Sequence, residues 1–161
     1  STTLDELREK VQRVSGLSHI FISRHAAKGL VKIPHEYTPQ FTPKLENFSL
    51  LNHETVWALS AIANSRAFEE MLRRAGAEKV EQISFRDHHD FSEKDIRMVL
   101  SRIKPYDIVV TTEKDYVRLR KHAQALQVLK QFYYLKIEFE VPENEILLKE
   151  GLKAHLLKNQ S

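Results

Sequence analysis

Three short predicted strands constrain the fold of this chain more than any other feature. Residues 56–62 are nearly continuous in apolar side chains, which is typical of a strand buried on both faces, and residues 80–85 and 106–111 are the second and third predicted strands. Each is followed by a polar cluster, and residues 67–76 and 92–103 then repeat apolar side chains at helical spacing. Strands that alternate with helices through short crossovers predict a three-layer α/β fold with a mostly parallel sheet and flanking helices.

The flanking segments extend this pattern at both ends. A capping box of Thr3 and Glu6 predicts a first helix over residues 3–15, whereas Pro34, Pro39 and Pro43 interrupt regular structure. The remaining predictions are a strand at 19–22, a linker with extended or hairpin pieces at 24–52, a helix at 115–129, a strand at 132–141 and a last helix at 143–157. We therefore predict a helix-strand segment and linker over 1–52, followed by an α/β lobe over 53–161.

Composition excludes several classes of protein. The 161 residues contain no cysteine, which removes disulfides and thiolate metal sites. The formal charge of +3 comes without any Lys/Arg-rich run, so no nucleic-acid partner is expected. No apolar stretch reaches the roughly 20 residues that span a bilayer. Because the first residue is Ser1, we expect a processed protein or a piece of a longer one.

A polar cluster lies at the end of each of the three predicted strands at 56–62, 80–85 and 106–111. The clusters comprise residues 62–65, 86–90 and 111–115. Parallel strands bring their carboxyl ends to one edge of a sheet, and ligands of open α/β sheets gather there. We therefore expect the three clusters to lie at a common edge, where the backbone N–H groups of residues 62–65 can receive a phosphate.

Two of these clusters carry candidate chemistry. One cluster contains Asp87, His88 and His89. It fits a catalytic histidine that a carboxylate orients, a partial metal site, or an ordinary polar loop that caps the next helix. No third metal ligand is evident, so no metal site is predicted. Thr112 and Lys114 fit ligands for phosphate oxygens, but Thr112 equally fits a helix cap.

Several catalytic motifs are absent from the sequence. There is no G-x-x-x-x-G-K-[ST] phosphate loop, and the four glycines are isolated. There is also no G-x-S-x-G or H-E-x-x-H. These 161 residues by themselves therefore lack a recognisable cradle for a nucleoside triphosphate.

Three motifs stand out in order and spacing, namely LRRAG at 72–76, FRDHHDFS at 85–92 and VTTEKDYV at 110–117. On these motifs the chain resembles, over residues 58–137, the C-terminal half of the tetraacyldisaccharide 4′-kinase family, the lipid A 4′-kinases of Gram-negative bacteria. A weaker similarity covers Leu7, Arg8 and Glu9, although Lys10 stands where the family has proline. Residues 61–65 also lack the two glycines and the proline of the family's Gly-Ile-Gly-Asn-Pro pattern.

The resemblance implies a fold, an activity and a set of roles. The fold is the second lobe of a P-loop-kinase-like enzyme, and the activity is transfer of the ATP γ-phosphate, with Mg²⁺, to the 4′-hydroxyl of a lipid A disaccharide phosphate. The reaction takes place at the cytoplasmic face of the inner membrane. His88, or else His89, then partners an aspartate of the N-terminal lobe, with Asp87 beside it. The resemblance places Arg8 and Glu9 at the nucleotide and magnesium side of the cleft.

The P-loop and the magnesium-binding acids of this family belong to an N-terminal lobe that the 161 residues do not contain. We therefore expect no kinase turnover from these residues alone, since phosphoryl transfer depends on those groups. Two alternatives stay open, a stand-alone metal-dependent phosphoesterase that uses Asp87, His88 and His89, and a non-catalytic binding module.

Overall fold

The chain is an α/β protein built on a mixed, mostly parallel sheet, as a computed structural model shows. The structure describes residues 3–16, 20, 23–34 and 42–141. Two compact units comprise Ser1–Ala26 with Phe139–Ser161, and Ala27–Glu138. The expected division after residue 52 stays a prediction.

The described residues form six strands, five α-helices and two 3₁₀ turns. In chain order these are α1 (Leu4–Ser15), β1 (Arg24–Lys32), β2 (Leu45–Glu46), a 3₁₀ turn (Phe48–Leu51), β3 (Thr55–Ser60), α2 (Ser65–Arg74), β4 (Lys79–Ser84), α3 (Glu93–Arg102), β5 (Ile108–Thr112), α4 (Glu113–Leu119), a 3₁₀ turn (Arg120–His122), α5 (Ala123–Leu126) and β6 (Gln131–Glu140).

The sheet has the strand order β2-β1-β6-β5-β3-β4. Strands β4, β3, β5 and β6 are parallel neighbours, which confirms the predicted parallel arrangement. The chain passes from β3 to β4 at one edge and then returns across β3 to β5. The strand order therefore reverses between β3 and β5, and we call the edge beyond their carboxyl ends, where open α/β sheets bind their ligands, the crevice.

Apolar side chains cover both faces of the sheet. Val56 and Ala58 pack on one face with Phe68 and Leu72 of α2, whereas Leu59 packs on the other face with residues of α3, α4 and α5. All five residues of β5 are buried. Burial on both sides is the reason that β3 and β5 read as continuous apolar runs rather than alternating ones.

Two predicted elements differ from the structure. The predicted helix at 115–129 is wrong as a single element, because α4 begins at Glu113 and a 3₁₀ turn separates it from the short α5. The predicted linker at 24–52 does contain extended pieces, since β1 pairs antiparallel with β2. However, Leu30 and Leu51 are fully buried, so this segment is part of the sheet and its core.

The terminal segments are described in part. Helix α1 has the predicted capping box, in which the Thr3 N–H donates to Glu6 at 2.8 Å and the Thr3 hydroxyl accepts from the Glu6 N–H. The predicted strand at 19–22, apart from Ile20, and the predicted helix at 143–157 lie outside the described residues. None of the helices in the described part is long and apolar enough to cross a membrane.

Candidate functional site

Two of the predicted polar clusters, 86–90 and 111–115, meet beside Ala61, the residue just before the third cluster. The backbone N–H of Ala61, just after β3, donates to Asp115 Oδ2 at 2.9 Å. The Ala61 carbonyl accepts from the His88 N–H at 3.2 Å. The structure therefore brings the loops after β3, β4 and β5 into direct contact, and Asp115 and His88 make the connections.

Asp115 is the buried anchor of the site. It is fully inaccessible to solvent, and its Oδ2 accepts from the Thr112 hydroxyl at 2.8 Å as well as from Ala61. Its other oxygen pairs with Arg118 Nη1 at 3.1 Å. The sequence pattern placed Asp115 in the polar cluster at 111–115 without a role of its own and did not single out Arg118, although a D-x-x-R spacing within a helix is a signal for such a pair.

Thr112 serves the fold rather than an open ligand position. It is buried, and its hydroxyl caps α4 by accepting a hydrogen bond from the Asp115 N–H at 3.1 Å. The same hydroxyl donates a hydrogen bond to Asp115 Oδ2. This hydroxyl can donate to a bound phosphate only if its hydrogen bond to Asp115 is broken. The cap interpretation of Thr112 thus describes the geometry, while its role towards a cofactor stays a prediction.

His88 is exposed, with 67% of its side chain accessible. Its ring lies between two cations, since Nδ1 is 3.1 Å from Arg118 Nη2 and Nε2 is 3.4 Å from Lys114 Nζ. Asp87 lies beside it, with Oδ2 at 3.5 Å from Nε2 and Oδ1 at 3.9 Å from Lys114 Nζ. An imidazole, a carboxylate and two cations therefore converge at the mouth of the crevice.

The backbone of His88 is in the left-handed region, with φ of 59°. This conformation costs a non-glycine residue about 1–2 kcal/mol, and it persists only where surrounding contacts enforce it. Here the His88 N–H reaches both the Ala61 carbonyl and Asp87 Oδ1, at 3.2 and 3.0 Å. These two contacts hold the His88 backbone in this conformation.

His89 belongs to a different set of contacts. Its ring stacks on Phe85 with centroids 4.8 Å apart, and its Nε2 lies 3.0 Å from Asp95 Oδ2. Asp95 also completes the capping box of α3 with Ser92. These contacts tie His89 to the start of α3 rather than to the crevice.

Hydrogen bonds lower the pKa of Asp95 well below its ordinary value of 3.8, first from the Ser92 hydroxyl, then from the Ser92 N–H and from His89. An acid with a lowered folded pKa adds stability that is complete above its unfolded pKa and is lost as the pH falls through the folded one. Asp95→Asn is therefore expected to lower the free energy of unfolding at neutral pH, by a difference that shrinks below about pH 4. Denaturant titrations at a series of pH values measure this.

The matched control for this prediction is Glu93→Gln, in the same helical turn but exposed. Its difference from wild type is expected to stay small over the whole range. A constant difference for Asp95→Asn from neutral pH down to about pH 2 would contradict the assignment of this acid-dependent stability to Asp95.

The remaining predicted residues are placed as follows. Lys114 is half-exposed at the crevice, next to His88. Arg8 and Glu9 lie on α1, which belongs to the other compact unit. In the part of the chain that the structure describes, no three His, Asp or Glu side chains are grouped as metal ligands.

The fold and the site define an α/β protein with a polar crevice at the point where its strand order reverses. The family model described as tetraacyldisaccharide-1-P 4′-kinase matches residues 6–156, and the chain belongs to this family.

Individual relatives agree with this assignment. A tetraacyldisaccharide 4′-kinase of Bacteroides thetaiotaomicron is 33% identical over 102 residues, which cover 60% of this chain and 27% of the relative. One from Pelagibacter ubique is 22% identical over 159 residues, covering 92% of this chain and 49% of the relative. The chain thus spans about a quarter to a half of the length of these curated relatives.

A solved structure is also similar to the chain. It is the crystal structure of the "apo" form of LpxK from Aquifex aeolicus in complex with ATP. The TM-score is 0.48 at 22% identity, over 91% of this chain and 43% of that one.

Proposed function

We propose that this chain is the C-terminal part of a lipid A 4′-kinase, an enzyme that transfers the γ-phosphate of ATP to the 4′-hydroxyl of a lipid A disaccharide precursor. The observation that carries the proposal is the convergence of Asp87, His88, Lys114 and Arg118 at the crevice of a chain that belongs to this family. In the reaction the hydroxyl oxygen bonds to the γ-phosphorus, the bond to the β-phosphate oxygen breaks, and ADP leaves. The hydroxyl proton passes to a base.

His88 rather than His89 is the functional histidine in this proposal. Its ring is exposed at the crevice, whereas the His89 ring is stacked on Phe85 and bonded to Asp95. His88 partners an aspartate supplied by the N-terminal lobe and thereby orients the base that takes the hydroxyl proton. Lys114 places a positive charge beside the same ring and can attract the phosphorylated sugar.

The described residues do not fit a complete site for ATP and Mg²⁺. The Thr112 hydroxyl is committed to Asp115, and the described part of the chain has no group of metal-ligating side chains. We place the nucleotide and the magnesium ion in an N-terminal P-loop lobe, with Arg8 and Glu9 facing them. The acyl chains of the substrate bring the enzyme to the cytoplasmic side of the inner membrane as a peripheral protein.

These 161 residues alone are expected to show no transfer of label from γ-labelled ATP to the tetraacyldisaccharide 1-phosphate. The proposed full-length kinase, with its P-loop lobe, is expected to transfer it, because positioning and charge neutralisation by a P-loop and a metal supply most of this catalysis. A matched control is the proposed full-length kinase with its P-loop lysine replaced by alanine. Label transfer by the 161 residues alone would show that the active site is complete within them.

The alternative of a metal-dependent phosphoesterase receives no support from the described residues. Asp87 and His88 lie together, but His89 is directed to Asp95 instead of joining them. Calorimetry with Zn²⁺ and Mn²⁺ tests this directly on the 161 residues. Tight binding that is lost in His88→Ala would favour the phosphoesterase over the kinase.

A further inference from the structure

Arg118 connects the buried anchor of the site to the exposed histidine. Its Nη1 lies 3.1 Å from Asp115 Oδ1, and its Nη2 lies 3.1 Å from His88 Nδ1. A guanidinium is planar and rigid, so two hydrogen bonds from its two ends fix its position. The arginine thus transmits the position of the Asp115 carboxylate to the imidazole ring.

The anchor itself is held firmly. Asp115 is fully buried, and its second oxygen accepts from the Ala61 N–H and from the Thr112 hydroxyl. These partners lie at the ends of β3 and β5, two paired strands in the centre of the sheet. The Arg118 side chain is itself only 22% accessible. The whole chain of contacts therefore rests on the core of the fold.

The chemistry of arginine determines which ring nitrogen of His88 carries the proton. A guanidinium has five N–H donors and no acceptor, so Nδ1 must present its lone pair to Arg118. In the neutral imidazole the proton is then on Nε2, because the hydrogen bond made by one nitrogen sets the state of the other.

The surroundings of Nε2 are mixed, with one acceptor and one donor at similar distances, so the shorter contact at Nδ1 decides the assignment. Asp87 Oδ2 lies 3.5 Å away and can accept, while the Lys114 ammonium at 3.4 Å cannot. In the opposite tautomer the Nδ1–H points at an Arg118 N–H donor only 3.1 Å away, and two donors repel each other. This contact is shorter than the 3.4 Å contact between Nε2 and Lys114, so the proton is placed on Nε2.

We infer that Arg118, held by Asp115, is a positioning residue that keeps the proton of His88 on Nε2, the ring nitrogen beside Asp87 and Lys114. The consequence for catalysis rests on the proposed function. There, His88 acts as a hydrogen-bond donor to the aspartate base, and it does not itself take the hydroxyl proton. Nothing in the sequence pattern pairs residue 118 with residue 88.

The tautomer can be measured on the 161-residue chain by long-range ¹H–¹⁵N correlation spectra at about pH 8.5, where an ordinary imidazole is neutral. The His88 signals are identified by their loss in His88→Gln, since the chain has eight histidines. We expect Nδ1 to be unprotonated and Nε2 to carry the proton. A protonated Nδ1 in the wild-type chain would overturn the inference.

Arg118→Lys is the discriminating variant. Its ammonium keeps a positive charge beside Asp115, which protects the fold, but a single nitrogen cannot bridge Asp115 and His88 as the guanidinium fork does. We expect His88 to become a mixture of the two tautomers. The control is Arg97→Lys, which alters an exposed arginine that pairs with Glu93 and is expected to leave the His88 signals unchanged. An unchanged tautomer in Arg118→Lys would exclude the positioning role.

Turnover of the proposed full-length kinase provides the second measurement. Arg118→Lys is expected to lower kcat by up to about 10²-fold, the usual cost of misplacing a reacting group, with the KM for ATP unchanged. It is expected to add no further loss to His88→Ala, because residues that act through one another are not additive. A full additional loss in the double variant overturns the positioning role, whereas wild-type turnover of His88→Ala overturns the proposed function alone.

Discussion

Replacing His88 with alanine in the proposed full-length kinase is expected to lower turnover by about 10²–10⁴-fold, the usual contribution of a positioned acid–base group. The reason is geometric. His88 is the imidazole at the crevice between β3 and β5, and contacts with Ala61 and Arg118 fix its backbone and its ring. Its loss leaves the proposed base aspartate without an oriented partner. Initial rates of label transfer from γ-labelled ATP measure the effect.

His53 provides a matched control for this variant. It is the other described non-glycine residue with a positive φ, at 64°, and it lies just before β3, at the end of the strand opposite to the crevice. His53→Ala changes a histidine in the same backbone conformation without touching the site. We expect its turnover to stay within a factor of about two of wild type, since His53 is exposed and surface substitutions away from a functional site have small effects.

His89→Ala separates the two adjacent histidines. It removes the stack on Phe85 and the bond to Asp95, so we expect a lower free energy of unfolding and a nearly unchanged kcat at low temperature. If His89→Ala loses turnover and His88→Ala retains it, the roles of the two histidines are reversed.

Asp115→Ala is expected to cost about 3–5 kcal/mol in the free energy of unfolding, because removing one partner of a buried ion pair leaves the other groups unsatisfied. Three groups lose their acceptor at once, namely the Ala61 N–H, the Thr112 hydroxyl and Arg118. Denaturant titration of the 161-residue chain measures the change. The fluorescence of its single tryptophan, Trp57, reports unfolding because this residue lies in the middle of β3.

Glu93→Ala is the control for Asp115→Ala. Glu93 also lies in the first turn of a helix, and it also pairs with an arginine one turn later, but the pair is exposed to solvent. Surface pairs of this kind contribute about 0–1 kcal/mol. Similar losses for the two variants would show that Asp115 is a helix-turn acid and not the anchor of the site.

Much of the fold follows from local patterns. The runs at 56–62 and 106–111 predict buried parallel strands because both faces of the sheet are covered, and β3 and β5 lie there. The capping boxes at Thr3 and Ser92 are short-range arrangements within one turn, so the sequence alone is sufficient to predict them.

The break after α4 could not be predicted in the same way. Residues 115–129 have helical composition throughout, and only the packing of Leu119, Leu126 and Leu129 on the sheet shows how the segment is divided. Local propensity is a weak determinant where tertiary packing selects the backbone path.

By itself, the sequence determined the α/β class, the family and the three polar clusters expected at one edge of the sheet. The pairing of Arg118 with His88 and the burial of Asp115 were decided only by the tertiary structure. The physical reason is the range of these contacts. Asp115 and Ala61 are 54 residues apart in the chain and Arg118 and His88 are 30 apart, and only the order and register of the parallel strands bring them within hydrogen-bonding distance.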